Sequence, residues 1–267
     1  MTDFLTSITT FALVCLSAGI GLYLHSRVPD TYRRRETMED MQRVVGLLVT
    51  FAALVLGLLT ASVKNTYDTA SRDRHAYALQ LTQLDRCLRE YGPEADSARA
   101  DITSYTAAVI ASTWRREPPP TGVQYPDIRE MPVVGAAPAL GELMDQAGEK
   151  IRRLDPATPY QTRTVEDCRV FFRDVIHARQ AVIEDAGAAF SKPFFWILVF
   201  WLTVIFLAFG LGVPRNKLAL TGLLLCAISV SSAVFVISDL SRPYRGLMPI
   251  SSHDMRSALY QMMAPAR

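Results

Sequence analysis

The chain is poor in the residues that build catalytic or metal sites. It has four cysteines and four histidines in 267 residues. Cys15 and Cys226 lie inside apolar runs and Cys87 and Cys168 outside them, and no two sit at zinc-ligand spacing, so neither a disulfide-rich scaffold nor a zinc module is expected. His25, His75, His177 and His253 are scattered, with no partner in sequence that would make a Cys/His nucleophile pair. There is no glycine-rich phosphate loop and no alternating strand pattern. A net charge of +2 gives no reason to expect nucleic acid. No enzyme, metal or cofactor is expected.

Four runs are empty of charge. Phe4 to Leu24, Val44 to Val63, Pro193 to Val213 and Leu218 to Ser238 contain no ionisable acid or base. About 20 apolar residues at ~1.5 Å rise cross the ~30 Å hydrocarbon core of a bilayer. The last two runs are separated only by Pro214, Arg215, Asn216 and Lys217, enough for a turn, so they read as a transmembrane hairpin. The first run is not expected to be a cleaved leader, because its cations follow it rather than precede it. The fold class is therefore an all-α integral membrane protein, with four transmembrane helices and a helical extramembrane bundle between spans two and three. The division is residues 1–63 for spans one and two, 64–192 for the extramembrane domain, 193–239 for the hairpin and 240–267 for a C-terminal tail.

The 64–192 insert carries 17 Lys/Arg and 19 Asp/Glu. Lys64 to Tyr91 has no proline or glycine and continues span two, with Leu81, Leu84, Cys87, Leu88 and Tyr91 as its apolar stripe. Gly92-Pro93 breaks it. Helices are expected over Glu94–Arg116, Ala139–Leu154 and Thr158–Lys192, the last with Val165, Cys168, Phe172, Val175, Val182 and Ala186 as its stripe. The stretch from Glu117 to Pro138 holds six prolines and is a loop. In the tail, Met255, Leu259, Met262 and Met263 share one face of a short amphipathic helix, which fits the membrane surface or a frayed end.

Several residues carry specific expectations. Ala53, Gly57 and Ala61 fall at four-residue spacing, which lets helix backbones approach and suggests self-association. Thr50 and Thr60, with Phe51 as a constriction, would be the polar content of a pore-lining span two. Ser229, Ser232, Val236 and Asp239 fall on one face of span four, and an acid at the end of a span is a functional candidate. Cys87 lies 24 residues after Val63 and Cys168 lies 25 before Pro193. Straight helices would carry both about 36–38 Å from the membrane, on facing stripes. A disulfide forms if the compartment is oxidising, and two packed thiols remain if it is reducing. Orientation follows from charge. The loops 25–43 and 214–217 carry seven cations, while the N-terminal tail has none. That places both loops in the cytoplasm of a plasma (inner) membrane and the insert outside, although the insert's own flanks carry Lys64, Arg72, Arg74, Arg179 and Lys192.

The stretches Tyr91-Gly-Pro-Glu-Ala, Ala98-Arg99, Tyr105 and Trp114, then Trp201, Phe209-Gly210, Asn216 and the run from Ser229 through Asp239 to Arg242-Pro243-Tyr244-Arg245-Gly246, with Ser251-Ser252 and Ala258-Leu259, resemble the bacterial bestrophin-like domain family, a domain of unknown function. His75 before Ala76 and Asp239 stand where its pattern has Glu, and Ser241 stands where it has an acid. The family name implies likeness to bestrophins, which are pentameric anion channels with four spans. What the resemblance implies is a homo-oligomer in the lipid bilayer that passes small ions. The alternative is a non-conducting envelope protein whose domain senses or binds a partner.

Overall fold

A computed structural model describes residues 2–27, 35–129, 131, 137–187, 192–212, 217–244 and 246–264. Among these residues there are eight α-helices and no strand: α1 (Thr2–Arg27), α2 (Arg35–Tyr91), α3 (Asp96–Thr113), α4 (Pro138–Arg152), α5 (Pro159–Gly187), α6 (Lys192–Gly212), α7 (Lys217–Leu240) and α8 (His253–Met263). Stretches of α1, α2, α6 and α7 are long and apolar enough to cross a membrane. Without a breaker between Val44 and Tyr91, span two runs on into the insert as expected, but the helix begins earlier, at Arg35 inside the expected 25–43 loop, and is 57 residues long. Gly92 then ends it at φ 128°, a backbone state open to glycine, and Pro93 starts the short 3₁₀ turn before α3.

The helices form two compact units, one of residues 1–67 and 189–242 and one of 68–188 and 243–267. In the first unit α1 packs on α6 and α7. Val14, Ala18, Leu198, Val199, Leu202, Phe206, Ala227 and Val234 make the shared core, with Val55, Leu56 and Leu59 of α2 against it. The closest approach is made by glycines. A methyl group built on Gly21 would meet the Leu207 carbonyl oxygen and stand 2.9 Å from Gly210 Cα, and one built on Gly210 would meet the Ala18 carbonyl oxygen and stand 3.0 Å from Gly21 Cα. Ala53, Gly57 and Ala61, the face expected in self-association, lie outward in the protomer, and a methyl group built on Gly57 would meet nothing within 4 Å.

In the second unit the apolar stripes of α2, α3, α4, α5 and α8 meet, burying Leu81, Leu84, Leu88, Ile102, Ile110, Met144, Ile151, Val175 and Met255. The Phe172 ring seats on α4 where Gly148 has no side chain. The α5 stripe stops short of its expected end, since Ala186 is exposed. The tail is not a separate segment as the division at residue 240 had it. Met255, Leu259 and Met262 of α8 are buried within this unit, where α8 packs on α3, so the apolar face is covered by protein rather than laid on lipid. The Arg89 guanidinium, anchored by Asp85 at 2.9 Å, donates to the Gln261, Met262 and Ala264 carbonyls at the end of α8, satisfying acceptors that a helix C-terminus leaves open.

Candidate functional site

The residues singled out in the spans do not all share a face. Thr50 is outward and its hydroxyl donates to its own helix at the Gly46 carbonyl, 2.9 Å away; Thr60 does the same to Leu56 at 2.7 Å. Phe51 beside Thr50 is half exposed. On α7, Ser229 and Ser232 are outward, with the Ser232 hydroxyl donating to the Ser229 carbonyl at 2.8 Å. Asp239, expected on their face, is 1% exposed. Ser231 and Ser238 lie buried on the opposite side with Val234 and Ala227. Helical phase puts Asp239 about 80° from Ser229 and only about 20° from Ser232, so it is burial at the end of α7, and not a change of face, that sets Asp239 apart.

The C-terminal motif begins as a helix end. Ser241 N–H still donates to the Ile237 carbonyl at 3.1 Å, its hydroxyl donates to the Ser238 carbonyl at 2.7 Å, and Arg242 N–H donates to the Asp239 carbonyl at 3.1 Å. Pro243 cannot continue the helix. Its carbonyl accepts the Ile250 N–H at 2.7 Å, closing a loop in which Pro243, Tyr244 and Gly246 are buried while Arg242 is exposed. Tyr244 meets the Trp114 ring edge-on, with centroids 6.3 Å apart, and the Trp114 indole N–H donates to the Ile250 carbonyl at 2.7 Å. One aromatic pair and one indole bond hold this loop onto the helical bundle.

Around Tyr244 the second unit contains a polar cluster that the sequence reading did not assemble. The Tyr77 and Tyr105 hydroxyls are 2.6 Å apart, and Arg179 Nε donates to the Tyr105 oxygen at 3.1 Å. Arg74, almost wholly buried, donates to the Ser251 carbonyl and stands 3.4 Å from the Asp254 carboxylate. His75, the departure from the family pattern, lies with Nδ1 3.2 Å from that same carboxylate, so its acid partner is supplied by α8. Burial pushes the Tyr77 and Tyr105 phenols up, Tyr77 strongly. Asp185 of α5 is pushed up to about 6 by burial and then by its hydrogen bond and charge interaction with Asp73 of α2. Tyr105 and Trp114 enter the sequence reading as positions of the family resemblance, and Arg74 and Arg179 as cations flanking the insert. No spacing rule joins them to Arg74 and Arg179, which lie on other helices. Cys87 and Cys168 are joined by a disulfide, with Cα atoms 5.5 Å apart. No group of three or more metal-ligating side chains occurs among the described residues.

Four apolar helices and an appended helical bundle define a polytopic membrane protein. The chain belongs to the bestrophin-like domain family, whose pattern matches residues 11–255. Its fold is that of solved bacterial bestrophin homologues from Klebsiella pneumoniae. One carrying a tryptophan-to-alanine substitution matches with a TM-score of 0.73 at 13% identity, over 98% of this chain and 97% of that one. Another, with an isoleucine-to-threonine substitution, matches with a TM-score of 0.69 at 14% identity, over 97% and 99%. A crystal structure described only as a membrane protein, with a proline-to-alanine substitution, matches with a TM-score of 0.68 at 15% identity, over 96% and 97%. No curated protein matches the chain.

Proposed function

We propose that this protein is a homo-oligomeric channel for small ions, anions foremost, in the plasma (inner) membrane, with the Cys87–Cys168 unit on the extracytoplasmic side. One observation carries the reading: the membrane stretch of α2 leaves most of its surface uncovered in the protomer. Leu47, Phe51, Leu54 and Leu58 are all at least half exposed, and Thr50, Gly57 and Ala61 lie outward with them. A ring of such helices around an axis would cover part of this surface and bring Thr50 and Phe51 toward a pore, in keeping with bestrophin-like membership. Asp239 at the end of α7 would set charge near one mouth. The extracytoplasmic placement rests on the cations of the 25–43 and 214–217 loops and on the disulfide, a bond that persists in oxidising compartments.

A second reading, a non-conducting envelope protein, is favoured by the poverty of the α2 face: both of its threonine hydroxyls are satisfied by their own helix. One experiment separates the two. Mass measured in nanodiscs should exceed one protomer, and liposomes holding the purified protein should pass small ions, with Asp239→Asn changing rate or selectivity. A well-folded monomer, or tight liposomes, would overturn the channel and leave the envelope reading.

A further inference from the structure

We propose that the cavity between Arg74, Tyr77, Tyr105, Arg179 and Tyr244 binds one monovalent, halide-sized anion, with chloride as its ordinary occupant. The site lies wholly within the 68–188 and 243–267 unit, and the inference does not depend on conduction.

The space is small. Its free centre is about 10 Å³, bounded by apolar walls that include Val109, Val182 and Met255 and open on one side. That is room for one water molecule or one monatomic ion and too little for sulfate or phosphate. The donors around it outnumber the acceptors. Two phenolic protons belong to the Tyr77–Tyr105 pair, and one of them fills the 2.6 Å bond between the oxygens. The Tyr105 oxygen also receives the Arg179 N–H. One phenolic O–H of the pair is thus left to point elsewhere. The Tyr244 hydroxyl, buried in the same wall, has no hydrogen-bond partner. Burial keeps all three phenols protonated, as it raises each of them above its ordinary value. The Trp114 N–H is already spent on the Ile250 carbonyl, so it adds no donor. The Tyr244 O–H therefore needs an acceptor, since it has none among the described residues, and a buried donor left unmade costs stability. A water would bring two more protons needing acceptors. A halide only accepts, and two guanidinium groups share its wall.

The facing acids set the pH range. Asp254 stands against Arg74 and His75. Asp73 and Asp185 also act on the Tyr244 phenol, Arg74 opposing them, and Glu184 adds its charge to Asp185. The Asp73–Asp185 pair holds a proton below about pH 6, so its repulsion of an anion weakens there. Halide binding should tighten as pH falls through about 6.

The test uses the full chain in detergent at constant ionic strength, with chloride replacing gluconate. The unfolding temperature should rise saturably with chloride, more at pH 5.5 than at pH 8, and not with sulfate. Crystals soaked in bromide should show an anomalous peak in the cavity. Tyr244→Phe should weaken the chloride midpoint about tenfold, while its unfolding temperature in gluconate stays at or above that of the natural chain, because a buried unsatisfied hydroxyl has gone. Equal unfolding temperatures in chloride and gluconate would overturn the proposal. So would bromide at the surface alone with the Tyr244→Phe midpoint unchanged, the outcome of an adventitious ion only.

Discussion

Gly21 and Gly210 hold the first and third spans at a separation that no side chain would allow, because a methyl group on either would run into a backbone carbonyl oxygen of the other helix and stand within 3.0 Å of the other glycine's Cα. Gly210→Ala should therefore destabilise the membrane unit by about 1–3 kcal/mol, the usual cost of forced overpacking, read as a lowered unfolding temperature in detergent. Gly57→Ala is its control. A methyl group built on Gly57 would meet nothing from the rest of the protomer within 4 Å, so the protomer should be unharmed, and any effect on oligomer mass would report a second copy at that face. The sequence showed small residues at helical spacing in several places, and spacing could not say which pair met; that needed both partner helices in position. Asp185 belongs to the same scale. Its folded pKa, about 6, stands above the ordinary 3.8, so the folded state holds the proton more tightly than the unfolded chain. The group's contribution to stability is then fully present below about pH 4 and is lost as pH rises through 6. Asp185→Asn should remove that loss, giving a variant more stable than the natural chain at pH 8 and a flatter stability profile between pH 4 and 6, measured by thermal unfolding.

At the scale of elements, α2 and α5 are the long pieces that matter, and the disulfide ties them. The bond closes a loop across a separation of 81 residues, for which the chain-entropy model gives about 4 kcal/mol. Reduction should lower the unfolding temperature of a unit this size by roughly 10 °C. Protein alkylated on extraction from native membranes should carry label on Cys15 and Cys226 only, the two free cysteines; label on all four would remove the bond. Counting residues along straight helices predicts both sulfurs at one height, because rise per residue is a property of the helix itself, although α5 ends at Gly187 and the count to Pro193 does not follow one helix. The fate of α8 was not open to such counting. Its amphipathic face with Met255, Leu259 and Met262 could be read from spacing, but whether lipid or protein covers that face depends on α3 presenting an apolar surface more than a hundred residues earlier in the chain.

At the scale of the whole molecule, four spans place the C-terminus and the 64–192 insert on the same side of the membrane, in keeping with residues 243–267 sharing a compact unit with residues 68–188. A reporter that works only in the cytoplasm, fused at the C-terminus, should be inactive; activity would reverse the orientation argued from the loop cations. What the sequence by itself determined is what local chemistry dictates: uncharged runs of spanning length, a proline-free helix carried from span two into the insert and ended at Gly92, the absence of strands among the described residues, and a C-terminal motif distinctive enough to mark the family. These follow from hydropathy, backbone hydrogen bonding and steric limits that act within a few residues. The tertiary structure alone decided the glycine pair of α1 and α6, the burial of Asp239 while Ser229 and Ser232 lie outward, and the cluster of Arg74, Tyr77, Tyr105, Arg179 and Tyr244. Each depends on which faces of distant helices meet, and the pairing of side chains from different helices is set by packing the whole core at once rather than by any period along one of them.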